Sequence, residues 1–533
     1  MTIVSLPFFL FVAALVLLYY LVPGKVRWVV LLLGSCLFYW LNSGLLLLVL
    51  LGTALLSFLI GLWIETLNDR LRRELKERGG ELSKEEKKAR KDAVKKRGKA
   101  ILLLGILLVL GALLFLKYFN FFTENLNRLF PAPSGEDRFP TLHLLLPLGI
   151  SFYTLQAIAY MVDIYRGKIR ADRNVLKFVL FMSFFPQIVQ GPIPRHAQLA
   201  GQLYEGHKFD YREFCFGIQL MLWGLTKKLV LADLLALPVN ALFQNYKDYT
   251  GPILFLASLL YGFQIYADFS GGMDIARGVS QMLGIRLELN FKQPYFAASI
   301  EDFWRRWHIT LGGWMRDYVF YPLSLSKGFT NLSRKCRKLL GQYVGKRLPA
   351  FLSMFIVYFL VGFWHGAQWK YVAYGLWNSL FIMSGILLEN VYRVTREKCG
   401  IAENAFTWRV FRILRTTVIV SFGRYFTRSH RLMDALYMLR LSFRDWRDLS
   451  FLLDGTLMNL GLDHAHWHLL LLMLLLLFFV DALHEKGLSI RDSIARQPLV
   501  FRWLIYIAAV LLPLVFGGYG PGYDAASFIY EQF

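Results

Sequence analysis

Apolar runs about as long as a bilayer is thick recur along most of this chain, and no other feature constrains its fold as strongly. A helix needs about 20 apolar residues to cross roughly 30 Å of hydrocarbon. Runs that reach or approach that length occupy 3–22, 28–41, 44–64, 100–118, 351–364, 371–388, 468–483 and 501–516. Segments 143–164, 174–194, 214–242 and 252–270 are apolar but interrupted, and 409–423 is weaker. The expectation is an all-α, polytopic integral membrane bundle of about 11 spans, with re-entrant and amphipathic helices besides. Residues 1–533 form a single membrane domain in this reading. Irregular backbone survives at membrane depth only when shielded by protein or facing a water-filled cavity. The interruptions concentrate in 143–325, so a central tunnel is expected there.

The charge pattern agrees. The chain has 60 Lys+Arg against 37 Asp+Glu, a net +23. A nucleic-acid binder would carry that excess on soluble domains. Here it sits between apolar runs, as it does in the cytoplasmic loops of membrane proteins. The partner implied is membrane lipid, not nucleic acid. Segment 68–99 holds 14 Lys+Arg and 7 Asp+Glu and reads as a solvated, partly helical cytoplasmic loop. With the basic link 23–27 also inside and the polar link 42–44 outside, the N-terminus is placed outside. The same alternation puts 119–141 outside and the basic 165–173 inside. The first run lacks a basic leader and a small-residue cleavage site, so it reads as a retained span.

Metal and disulfide chemistry find little support. Cys36, Cys215, Cys336 and Cys399 lie far apart with no CxxC pair. His464, His466 and His468 follow Asp463, but their spacing does not fit one helix face. They read as an interfacial loop, with no metal site expected. The tail after Val515, rich in glycine and aromatics, is expected to cap the bundle.

Two segments carry the chemistry. In 300–323, IEDFWRRWHITLGGWMRDYVFYPL, the residues Phe303, Trp304, Trp307, His308, Leu311, Trp314, Met315 and Tyr318 recur at helical spacing. One reading is an interfacial amphipathic helix with snorkelling arginines. The other is a chamber-lining helix, with Trp304 and Trp307 against substrate and with Arg305 and Arg306 binding an anionic donor. In 354–379, MFIVYFLVGFWHGAQWKYVAYGLWNS, His365 ends a run with no charged residue from Phe351 to Trp364. An imidazole there is costly to desolvate and marks a functional site by default, although a hydrogen-bonded structural histidine is the alternative. Gly362 and Gly366 allow close backbone approach or a helix break. Asn378 is placed to orient the histidine or a substrate, or to bridge two helices. Spacing alone does not bring His308 and His365 together. Asp274 and Arg277, at i,i+3, read as a structural pair, as does Asp268 as a structural residue. GPIPRH (191–196) and NFKQPY (290–295) read as turn or re-entrant elements.

These segments resemble the membrane-bound O-acyltransferase (MBOAT) superfamily, whose tryptophan-rich signature matches EDFWRRWHITLGGWMRDYVFYPL. FLVGFWHGAQWKYVAYGLWN resembles the family's histidine region. PLGISFYTLQAIAYMVDIYRG (147–167), FFPQIVQGPIPR (184–195), GLTKKLVLAD (224–233) and YADFSGGMDIARG (266–278) match in order and resemble the bacterial alginate O-acetyltransferase branch. At 421–439, SFGRYFTRSHRLMDALYML stands where that branch has a stretch richer in tryptophan and phenylalanine. The resemblance implies that His365 is the catalytic histidine and His308 a second functional one. It implies an O-acyltransferase of the bacterial cytoplasmic membrane, with no cofactor beyond a thioester donor substrate. That donor would be acetyl-coenzyme A or an acyl carrier protein. An extracytoplasmic acetyltransferase partner would pass the group to a polysaccharide. D-alanyl transfer from a carrier and lipid acylation are the enzymatic alternatives. A transporter, which would show paired broken segments in its two halves, is the non-enzymatic one.

Overall fold

A computed structural model describes residues 1–78, 80–131, 137–519 and 528. Among these the chain is all α-helical, without strands, apart from one isolated antiparallel bridge between Phe291 and Trp307. It is a multi-pass membrane protein. Against the eleven spans expected, six helical stretches among the described residues are long and apolar enough to cross, or seven with the bent pair Trp369–Leu387 and Glu389–Lys398. One of the six, Gly24–Glu77, holds two helices, Arg27–Ser43 and Leu47–Glu77, that meet at Gly44 with φ +51°. Most of the other expected spans are short or broken, whereas 409–423 lies in the continuous helix Phe406–Arg428, which carries several arginines. Leu6–Leu21 and Ile150–Tyr165 have 16 residues each. Segment 174–194 divides into Val175–Ser183 and Phe185–Gln190, followed by an extended stretch through Pro192 and Pro194.

The charged segment 68–99 is more helical than a loop. Leu47–Glu77 covers its first part and Lys84–Leu113 its last. A capping box closes the second helix: Ser83 accepts from the Glu86 amide, and Glu86 accepts from the Ser83 amide. The run at 464–468 also differs from the loop expected. It forms the first turn of helix His464–Glu485, because Asp463 caps that helix by accepting from the His466 amide at 2.8 Å. The tail expected to cap the bundle lies outside the described residues, apart from positions up to Tyr519 and Phe528.

Backbone contacts group the chain into two units, 1–217 with 279–288, and 218–278 with 289–533. In the first, Leu47–Glu77 packs on Ile150–Tyr165 and Lys84–Leu113. Small residues set the spacing, as lipid offers helices no hydrophobic drive to associate. A Cβ on Gly61 would lie 2.9 Å from the Tyr160 ring, and one on Gly105 2.8 Å from Met161 Sδ. Outward, leucines such as Leu10, Leu17, Leu33 and Leu48 are exposed, as a lipid-facing surface requires.

In the second unit, helix Tyr211–Leu225 continues as a π-helical turn, Thr226–Ala232. Gly224 brings its backbone against helix Gly251–Met282; a Cβ there would lie 2.6 Å from the Gly271 carbonyl. The wider turn carries two adjacent lysines into the interior. Lys227 reaches Asp274 and Ser270 at 2.8 Å each. Lys228 reaches Asp268 at 2.8 Å and Asp233 at 3.0 Å. Asp274 also binds Arg277 at 3.1 Å, the pair expected from their spacing. Replacing Lys228 with Met strands two buried carboxylates and is expected to cost about 3–5 kcal/mol. Thermal unfolding in detergent checks this. Adding Asp233→Asn and Asp268→Asn should recover most of the loss, and an unshifted midpoint in the single variant contradicts the account.

Candidate active site

The tryptophan-rich segment does not form one helix. Ser299 caps Ile300–Arg306 by accepting from the Asp302 amide at 3.0 Å. The helix then ends, and His308 takes the left-handed conformation, φ 49° and ψ 51°, as N-cap of Ile309–Met315. The backbone groups released by the break are matched by residues 290–292. Lys292 donates its amide to the Arg306 carbonyl at 2.9 Å, and Ile309 donates to the Asn290 carbonyl at 3.0 Å. The Asn290 side-chain oxygen accepts from the Thr310 amide and hydroxyl, both at 2.9 Å, and lies 3.4 Å from His308 Nδ1. Helical spacing placed His308 on a continuous stripe. The pairing with NFKQPY instead turns its ring inward, where it is 1% exposed. Burial pushes its pKa well below the usual histidine range, with the charge of His365 a smaller contribution. The ring is therefore neutral at neutral pH.

His365 is the last residue of helix Lys327–His365 and is 7% exposed. Close packing on Trp369–Leu387 holds it in place. Side chains at Gly362 and Gly375 would run into the Tyr371 and Tyr358 carbonyls, and one at Gly366 into the Tyr371 ring. Thus Gly362 serves close approach, while Gly366 ends the helix.

The two histidines meet. Their ring centroids are 6.4 Å apart, with Trp364 at 5.7 Å from His308 and 5.1 Å from His365. Tyr374 stands 6.5 Å from His365. Asn378 accepts from Trp304 Nε1 at 3.1 Å and donates to the Tyr374 carbonyl at 2.8 Å, so it bridges helices within the cluster. Trp307 stacks on Phe303 at 5.5 Å.

The two arginines are engaged elsewhere. Arg305 is exposed and pairs with Glu301. Arg306 is held by Asp302 at 3.1 Å and by Glu485 at 2.6 Å. Binding a donor there would require those pairs to open. Sequence reasoning overlooked Asn290, Tyr295, Tyr374 and Arg424. Arg424 is almost fully buried, with its Cζ 4.9 Å from the Trp307 ring and its Nη2 3.3 Å from the Tyr295 hydroxyl. The available signal was an arginine inside an apolar helix, flanked by VIVSFG and YF.

A break, an inward histidine, and a second histidine at a helix end inside a membrane protein form a distinctive constellation. Residues 167–422 match the model of the MBOAT, membrane-bound O-acyltransferase family. That match places this stretch, just under half of the chain, in the family. A probable alginate O-acetylase, AlgI, of Pseudomonas syringae pv. tomato is 34% identical over 348 residues, 65% of this chain and 61% of that protein. A peptidoglycan O-acetyltransferase of Helicobacter pylori is 34% identical over 305 residues, 52% of this chain and 54% of its own length. A teichoic acid D-alanyltransferase of Streptococcus thermophilus is 28% identical over 299 residues, 53% of this chain and 68% of its length. The chain spans about three fifths of the length of the alginate O-acetylases it matches.

Within this MBOAT site, Asn290→Ala removes the acceptor that fixes the break. It is expected to cost about 1–3 kcal/mol of stability and to lower kcat more than KM. Steady-state kinetics alongside thermal unfolding check both effects.

Proposed function

We propose that the protein is an O-acyltransferase. It takes an acyl group, acetyl in this reading, from a cytoplasmic thioester donor and passes it to a hydroxyl for extracellular polysaccharide O-acetylation. The observation that carries the reading is the pair of buried histidine rings 6.4 Å apart, on segments far apart in sequence. The O-acetylase relatives at 33–34% identity support it.

His365 acts as general base. It accepts the proton of the acceptor hydroxyl as that oxygen attacks the thioester carbonyl carbon. A carbon–oxygen ester bond forms, the carbon–sulfur bond breaks, and the leaving thiolate takes up the proton that His365 accepted. His308, kept neutral by burial, binds or polarises the donor. Trp304 and Trp307 wall the donor, and Asn378 keeps Trp304 in register. Water exclusion and positioning supply the rest of the acceleration. The donor is acetyl-coenzyme A or an acyl carrier protein, no other cofactor is required, and a partner acetyltransferase outside the membrane receives the group. The setting is the bacterial cytoplasmic membrane, with a tunnel joining donor and acceptor sides. D-alanyl transfer is the second reading, favoured only by the 28% relatives.

His365→Ala is expected to lower transfer by at least about 10²–10⁴-fold while leaving the unfolding midpoint in detergent unchanged. Full transfer in that folded variant removes the histidine from the mechanism. Purified protein offered acetyl-coenzyme A and, separately, an aminoacyl carrier distinguishes the two donors.

A further inference from the structure

Most of the buried cations in the second unit are neutralised by carboxylates. Lys227, Lys228, Arg277 and Arg306 each have one within 4 Å. Arg424, Arg428 and Lys370 do not. Arg424 is 2% exposed, yet its contacts are the Tyr295 hydroxyl and the Trp307 ring face. Its Nε has no hydrogen-bond partner and faces Gly262, where an added Cβ would lie 3.3 Å away. Arg428, one turn further along helix Phe406–Arg428, donates to the Asn240 side-chain oxygen at 2.5 Å. Lys370 donates to the Ser429 carbonyl at 2.7 Å. No carboxylate pairs with any of these three among the described residues.

An isolated buried cation is costly, and a protein that tolerates one supplies its counter-charge in another way. Here Arg424 and Arg428 stand one turn apart on the same helix, and Lys370 binds the carbonyl of Ser429, the residue after Arg428. Arg424 is buried, while Arg428 and Lys370 are half-buried, so the charge runs from the interior outward. Lys370 is the second residue of helix Trp369–Leu387, whose N-terminus adds partial positive charge. It lies five residues beyond His365, and its neighbour Tyr371 packs against Gly366. Arg424 lies over the ring of Trp307, the residue before His308.

We propose that Arg424, Arg428 and Lys370 form an anion site holding a phosphate-bearing ligand next to the histidine pair. The ligand's assignment as donor rests on the acyl-transfer reading, since coenzyme A and carrier thioesters bear phosphate. An anionic phospholipid headgroup presents the same chemistry, so the site stands apart from that assignment. It accounts for donor binding without opening the Arg306 pairs.

The test is calorimetric titration of the full-length protein in detergent with coenzyme A and, separately, with a short-chain phosphatidylglycerol. Arg424→Gln, Arg428→Gln and Lys370→Gln are each expected to weaken binding about tenfold, the loss of one charge-assisted hydrogen bond. Arg424→Lys, which keeps the charge, should retain most of it. Lys370→Gln and Arg428→Gln carry the test if Arg424→Gln does not fold. His365→Ala should bind coenzyme A like the parent while failing in transfer. Binding of the phospholipid alone keeps the site and removes the donor assignment. Wild-type affinity for coenzyme A and phospholipid in the folded Gln variants, or no binding of either probe by the parent, overturns the proposal.

Discussion

Backbone amides and carbonyls buried in a protein interior have no water to turn to, so a helix can break there only where other protein groups replace the lost bonds. At His308 the replacement comes from residues 290–292. Two backbone bonds and one asparagine side chain hold the chain through the break. The inward turn of His308, its burial and its approach to His365 depend on that exchange. Without it, residues 300–323 would continue as a helix, and the histidine would follow the stripe of its neighbours.

Glycine is the second structural means. Gly362 and Gly375 let helices Lys327–His365 and Trp369–Leu387 approach backbone to backbone. That contact fixes where the first helix ends, and His365 is its last residue. Gly224 and Gly271 do the same where the π-helical turn delivers Lys227 and Lys228 to their carboxylates. Close approach brings polar groups within bonding distance in a medium where packing is the main attraction. Charge balance differs within the unit: the lysines of the π-helical turn are matched by carboxylates, whereas Arg424 and Lys370 are held by a hydroxyl and a carbonyl.

Much of the fold was legible. The helices at 6–21, 27–43, 464–485 and 499–516 lie where apolar runs lie, because burial in lipid selects composition directly. The ends of elements were less legible. Segment 68–99 reads as loop by charge, yet a solvated helix accepts charge on every face, and a capping box at Ser83 starts it. Asp463 likewise turned a histidine run into a first helical turn. The Pro-rich stretch near 192–194 was legible because proline cannot continue a helix.

The sequence by itself determined the class of molecule and its long apolar helices, which follow from composition and local pattern. It singled out His365 by its place at the end of an apolar run, and its resemblance to the acyltransferases implied a role for His308. Tertiary structure alone decided that the histidines meet, that Arg306 is held by Glu485, and that Arg424 lies beneath Trp307. Such contacts join residues about 57 to 180 positions apart. No local periodicity encodes them, because they arise only when separate helices pack and exclude solvent from the groups between them.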